Sequence, residues 1–131
     1  MPEASPNTIS IEVEHFDSPD AQRLRAAQRL EIDRAHGGDT EPGEKPTAES
    51  IAVFFVARDE SGTPLGCGGL RIVDDGIAEI KRMYVRPESR GSGAAAALLR
   101  RLEEAALDLG SPALVLETGT EQQRAVGFYQ R

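Results

Sequence analysis

The sequence predicts a single α/β domain, a mixed sheet in which an antiparallel meander leads into a βαβ unit. Three apolar runs, "SIAVFFVAR", "PLGCGGLRIV" and "GIAEIKRMYVR", are joined by "DESGT" and "DDG", turn chemistry suited to hairpins. The third run is followed by a helical period over residues 93–109 and then by the wholly apolar "ALVLET", which suits a buried parallel strand. With 131 residues the chain suits one domain, residues 1–131, able to bury a core without metals or disulfides.

Each element has a local cause. Ile9, Ile11 and Val13 alternate with polar residues, the period of a half-buried strand. In "DSPDAQRLRAAQRLEIDRA", Ser18 is placed to cap a helix, Pro19 fits its first turn, and Leu24, Ala27 and Leu30 fall roughly on one face. Residues 36–50, "HGGDTEPGEKPTAES", have no apolar period and read as a long mobile loop, either a substrate lid or a plain surface excursion. Gly66, Gly68 and Gly69 weaken the second strand of the meander, which signals a bulge or a group packed against the backbone. Ala95, Leu98, Leu99, Leu102, Ala106 and Leu109 recur at helical spacing opposite a charged face, and Gly110 and Pro112 stop that helix. The final "EQQRAVGFYQR" reads as the start of another helix.

Composition narrows the function. Hydrophobic residues at 39% and charged residues at 28% are globular proportions, and the longest apolar run, residues 51–57, is too short to span a bilayer. "MPEASPNTIS" lacks the pattern of a secretory signal and the lone Cys67 cannot form an internal disulfide, so a reducing, cytoplasmic setting is expected. A net charge of −7 argues against nucleic-acid and membrane partners and leaves open a cationic substrate such as an amine. His15 and His36 are isolated, and no thiolate or carboxylate cluster has ligand spacing, so no metal is expected.

The segment that carries chemistry is "RPESRGSGAAAALL", residues 86–99, where Gly91 and Gly93 open a helix as they do in phosphate-binding turns. A Walker loop needs Lys-Ser/Thr after its last glycine, whereas Ala94 and Ala95 follow here. Gly91, Gly93 and Ala96 do satisfy the dinucleotide fingerprint, with Glu117 where a ribose-binding acid belongs. Against a dinucleotide enzyme stand the long "RPESR" insert and the 14 residues after Glu117, too few to complete a doubly wound sheet. It is kept as the remote alternative.

"MYVRPESRGSGAAAALLRRLEEAALDLG" resembles the core motif of the GCN5-related N-acetyltransferase (GNAT) family. Arg90, Gly93 and Ala95 meet its Q/R-x-x-G-x-G/A signature, and Val85 and Pro87 supply the preceding V-x-P. "ALVLETGTEQQRAVGFYQR" is similar to the family's next strand and helix, so the resemblance covers most of residues 50–131. It implies a GNAT-type acyl-CoA N-acyltransferase fold, α/β or α+β, with helices on both faces of the sheet. The family's last two strands would lie beyond Arg131, implying a shortened fold or one completed by a partner chain, with a homodimer as one arrangement.

The resemblance further implies transfer of an acetyl group from acetyl-CoA to a primary amine, small molecule or peptide, by direct attack in a ternary complex. A non-catalytic acyl-CoA sensor of the same fold is the alternative. Backbone N–H groups of Arg90, Gly91, Ser92, Gly93, Ala94 and Ala95, aided by the helix dipole and the Arg90 charge, would hold the pyrophosphate. The main chain of Met83, Tyr84 and Val85 would pair with the pantetheine arm, an N–H near Met83 facing the thioester oxygen. Gln122 stands where an asparagine is common at the coenzyme. An alkylammonium with a pKa of about 10.4 must lose a proton, and Glu79 is the favoured base. Strict strand alternation places it on the face of Met83 and Val85. Glu117, at the substrate side, is the runner-up, with a water relay in either case. Tyr129, in the A-x-x-x-Y position, is the expected acid for the leaving thiolate. Cys67 is assigned only packing.

Overall fold

A computed structural model describes residues 8–36, 47–117 and 123–128. Six strands, β1 (Ile9–Val13), β2 (Val53–Asp59), β3 (Pro64–Ile72), β4 (Ala78–Val85), β5 (Ala113–Glu117) and β6 (Gln123–Phe128), form one sheet in chain order. Neighbours are antiparallel except β4 and β5, which run parallel. The parallel pair is joined by α2 (Ala94–Asp108), giving the expected βαβ unit after the expected meander.

Two cores follow from the two-residue period of the strands. Phe55 and Ala57 pack on one face with Leu98, Leu102 and Ala106 of α2. Phe54 and Val56 pack on the other with Ala21 and Leu24 of α1 (Pro19–His36) and with Phe16. Helices therefore cover both faces of the sheet, as the resemblance implied.

The glycines of β3 are places where neighbours lie against the backbone. A β-carbon at Gly66 would overlap the Tyr84 carbonyl oxygen, and one at Gly69 would stand 2.7 Å from Phe54 Cδ1. At Gly68 the Leu102 methyl Cδ1 would be 3.2 Å away.

Helix α1 is capped as expected, the Ala21 N–H donating to Ser18 Oγ at 3.1 Å. Its buried stripe differs from the expected one: Leu24 is fully buried but Leu30 is 51% exposed. Six residues of helix turn Leu30 roughly 240° from Leu24, which takes it off the packed face. The helix runs to His36, the first residue assigned to the loop; the rest of that loop, except Thr47–Ser50, lies outside the described residues.

The helix expected from "EQQRAVGFYQR" is also corrected. Residues 123–128 are β6, pairing antiparallel with β5 through Leu116↔Arg124 and Leu114↔Gly127. The reason is backbone satisfaction: β5 has a second hydrogen-bonding edge, and β6 covers it. No helix among the described residues is long and apolar enough to cross a membrane.

Gly66→Ala is expected to destabilise the fold by about 1–3 kcal/mol through overpacking against the β4 backbone, and Leu102→Ala by about 2–5 kcal/mol through a cavity. Urea denaturation of the two variants measures both.

Candidate functional site

The site is organised by one extra residue in β4. Cys67 pairs with Tyr84 and Gly69 with Lys81, so the single Gly68 on β3 faces both Arg82 and Met83. This is a β-bulge, and Arg82 takes the left-handed backbone at φ 58° that a non-glycine residue adopts at a cost of about 1–3 kcal/mol. The surroundings hold it. The Arg82 carbonyl accepts from Cys67 Sγ at 3.3 Å, and the Met83 carbonyl accepts from Gln28 Nε2 of α1 at 3.0 Å.

Among the described residues β5 pairs with β4 through Ala78–Ile80, while β4 runs on to Val85, which leaves a wedge between them beside the bulge. The closed end of this wedge is pinned by buried Ser111. Its Oγ accepts the Ala78 N–H at 2.8 Å, and its hydroxyl proton has two acceptors in reach, Gly76 O at 2.7 Å and Ala113 O at 2.9 Å.

The open end leads to the glycine turn. A short 3₁₀ turn, Pro87–Ser89, follows β4, and Gly91 and Gly93 then take φ of 87° and 96°. Both values are left-handed, so glycine is required there by backbone conformation rather than by crowding. Gly93 is the N-cap of α2, and the Ala94 N–H reaches Ser92 Oγ at 3.3 Å. The first turn contains no acidic side chain, so the positive end of the helix dipole is not neutralised locally.

Arg90 spans the mouth of the wedge. Its Nε donates to the Val85 carbonyl at 3.0 Å, and its Nη2 donates to both carboxylate oxygens of Glu31 on α1 at 3.0 and 2.9 Å. The guanidinium also lies 5.7 Å from the centre of the Tyr84 ring. Burial, and then the Glu31 carboxylate, hold the Tyr84 phenol above its ordinary pKa. About half of each partner in the Arg90–Glu31 pair is exposed, so the pair contributes about 0–1 kcal/mol.

The expected residues are thus brought together unevenly. Met83, Tyr84 and Val85 line the strand beside the wedge, and Arg90, Gly91, Ser92, Gly93, Ala94 and Ala95 form the turn at its mouth. Glu79 lies elsewhere than alternation implied. Ala78, Ile80 and Val85 belong to the α2-side core with Met83 packed on it, whereas Tyr84 belongs to the α1-side core. The bulge reverses the alternation, so Glu79 is on the opposite face from Met83 and Val85. There it is 3% exposed and its Oε1 accepts from Arg71 Nη2 at 3.0 Å. Gln122, Tyr129 and the Glu117 side chain lie outside the described residues. Sequence reasoning missed Gln28 and Glu31. Both are polar residues on the α1 stripe of Ala21 and Leu24, and that placement was the one available signal.

Comparison with known proteins follows the same lines. Residues 14–131 match the family described as Acetyltransferase (GNAT) family. An IAA acetyltransferase of Azospirillum brasilense is 38% identical over 109 residues, covering 77% of this chain and 70% of that protein. A solved structure from Klebsiella pneumoniae, assigned to the acyl-CoA N-acyltransferases, superposes with a TM-score of 0.69 at 22% identity, covering 84% of this chain and 71% of the other. N-acetylglutamate synthase of Neisseria gonorrhoeae, solved with coenzyme A and N-acetyl-glutamate, shares the fold with a TM-score of 0.62 at 19% identity, covering 82% of this chain and 25% of the other.

Cys67, fully buried beside the bulge, has its thiol pushed up to about 12 by burial. Native Cys67 should therefore resist thiol reagents near neutral pH and react on unfolding. Above about pH 9 the unfolded chain loses this proton while the folded chain keeps it, so stability falls as pH rises towards 12. Denaturation midpoints across that window should fall less steeply in Cys67→Ala.

Proposed function

Because the chain belongs to the GNAT acetyltransferase family, we propose that it transfers an acetyl group from acetyl-CoA to a primary amine by direct attack in a ternary complex. The observation that carries this reading is the wedge between β4 and β5 opening onto a glycine turn at a helix N-terminus. A pantetheine arm is an extended chain with amide groups, and the β4 edge past Ile80 offers main-chain groups to it. The pyrophosphate goes to the turn, where N–H groups of residues 91–95 and the dipole of α2 favour an anion.

Arg90 joins them by leaving Glu31. A charge-assisted contact to phosphate is worth about 1.5–3 kcal/mol, more than the exposed pair it replaces. Acetyl-CoA supplies the activated acyl group. A backbone N–H at the bulge, near Met83, faces the thioester oxygen and stabilises the negative charge that develops on it as the amine adds.

The amine arrives protonated and must reach the carbonyl as the free base. Glu79 is the favoured acceptor of that proton. With its carboxylate held by Arg71 and on the α1 face of β4, its reach to the amine runs through water. Glu117 serves as the alternative base at the substrate side. Tyr129 protonates the leaving thiolate, whose parent pKa of about 8.5 makes an unprotonated departure slower. The reading includes a cytoplasmic setting and no metal.

Thiol release from acetyl-CoA with a panel of amines tests the proposal; amine-dependent release is expected. Coenzyme A binding without turnover would leave a sensor, and stabilisation by NADH but not by coenzyme A would sink the assignment. At a hundred times its dissociation constant, coenzyme A should stabilise the fold by about 2.7 kcal/mol in thermal denaturation. Arg90→Ala should raise the KM for acetyl-CoA roughly tenfold or more with a smaller effect on kcat. Glu31→Gln should change stability by less than about 1 kcal/mol.

A further inference from the structure

Met83 is held from both sides. Its own carbonyl accepts from Gln28 Nε2 at 3.0 Å, and the carbonyl before it, that of Arg82, accepts from Cys67 Sγ at 3.3 Å. The donors come from two elements, α1 and β3, and Cys67 packs in the α1-side core with Leu24 and Tyr84. The Met83 side chain packs the other way, against the α2-side core. In a regular strand such carbonyls pair with a neighbouring strand; at the bulge, side chains take them instead.

A peptide unit is planar, and none among the described residues is cis, so a held carbonyl also fixes an N–H pointing the opposite way. Holding the Arg82 carbonyl therefore aims the Met83 N–H away from Cys67. Gln28 pins the following peptide, so the frame from which that N–H projects is fixed at both ends. Support is needed here, because Arg82 keeps its φ of 58° only where the surroundings dictate it. The Gln28 amide makes this contact at a cost: its Oε1 is buried with no hydrogen-bond partner among the described residues. Turning the amide over would set that oxygen against the Met83 carbonyl, acceptor against acceptor. Cys67 is a constant donor, since burial keeps its thiol protonated through the neutral range.

We infer that Cys67 and Gln28 are positioning residues for acetyl transfer: by holding the carbonyls on either side of the Met83 α-carbon, they fix the Met83 N–H towards the thioester oxygen. The inference rests on the acetyl-transfer reading, which turns an N–H near Met83 to that oxygen. It gives Cys67, expected only to pack, a second role, and it extends the catalytic contribution of α1 to a residue that touches neither coenzyme nor amine.

The test observes the N–H itself. The chain has two methionines, Met1 and Met83, so labelling with ¹⁵N-methionine gives at most two amide signals, and Met83→Leu identifies the one from Met83. The probes are coenzyme A and acetyl-CoA, which differ by the thioester. In the native chain the Met83 amide proton should lie further downfield with acetyl-CoA, because a hydrogen bond to the thioester oxygen deshields it. Cys67→Ala and Gln28→Met should each lose most of that difference while both coenzymes still bind, and Cys67→Ser, which keeps a donor, should retain it. With an accepting amine, both should lower kcat roughly tenfold and leave the KM for acetyl-CoA little changed, short of the roughly 100-fold loss of a missing oxyanion donor. Gln28 lies outside both core clusters, so Gln28→Met carries the test where Cys67→Ala does not fold. A role confined to packing would lower the denaturation midpoint and leave the downfield difference intact. With both coenzymes bound, a difference that survives both substitutions, or none in the native chain, overturns the inference and leaves acetyl transfer standing. Failure of either coenzyme to bind overturns acetyl transfer and the inference with it.

Discussion

The extra residue at Arg82 sets the geometry of everything around it. A strand without it would keep Ala78, Ile80, Arg82 and Tyr84 on one face; with it, Tyr84 joins the α1-side core and Val85 the α2-side core. The left-handed φ of Arg82 is unfavourable, and the carbonyls it displaces are the ones taken by Cys67 and Gln28. Strain at this point is balanced by contacts from β3 and α1.

Helix α1 is consequently more than a cover for the sheet. Its apolar residues, Ala21 and Leu24, fill the core, while Gln28 and Glu31 further along reach the Met83 carbonyl and Arg90. One helix therefore touches both the bulged strand and the turn arginine. The strengths differ: the Gln28 contact is partly buried and holds backbone, whereas the Arg90–Glu31 pair is half exposed and weak.

Charge is distributed along the same lines. The acidic balance of the chain is not spread evenly, since carboxylates such as Glu12, Glu14 and Asp20 are drawn together around Arg58 of β2. Asp20 is held below the usual carboxylate range by its hydrogen bond to Arg58. Overall charge thus describes the molecule's long-range field, and the local field at a site can have the opposite sign.

The meander, the βαβ unit, the capped α1 and the glycine turn were legible in the amino-acid order, because each depends on residues close together in the chain: period two, period 3.6, Ser18 before Pro19, and glycines where φ is positive. The motif that places the chain in its family was legible in the same way. Other features arise only where distant segments pack together. Residues 123–128 became a strand because β5 offered an edge, a fact about a neighbour rather than about their own pattern. The bulge at Arg82 is invisible to alternation, which counts residues evenly, so the face of Glu79 could not be read correctly from spacing. Gln28 and Glu31 acquire their meaning only when α1 is laid against β4 and the turn after it, across more than fifty residues of chain.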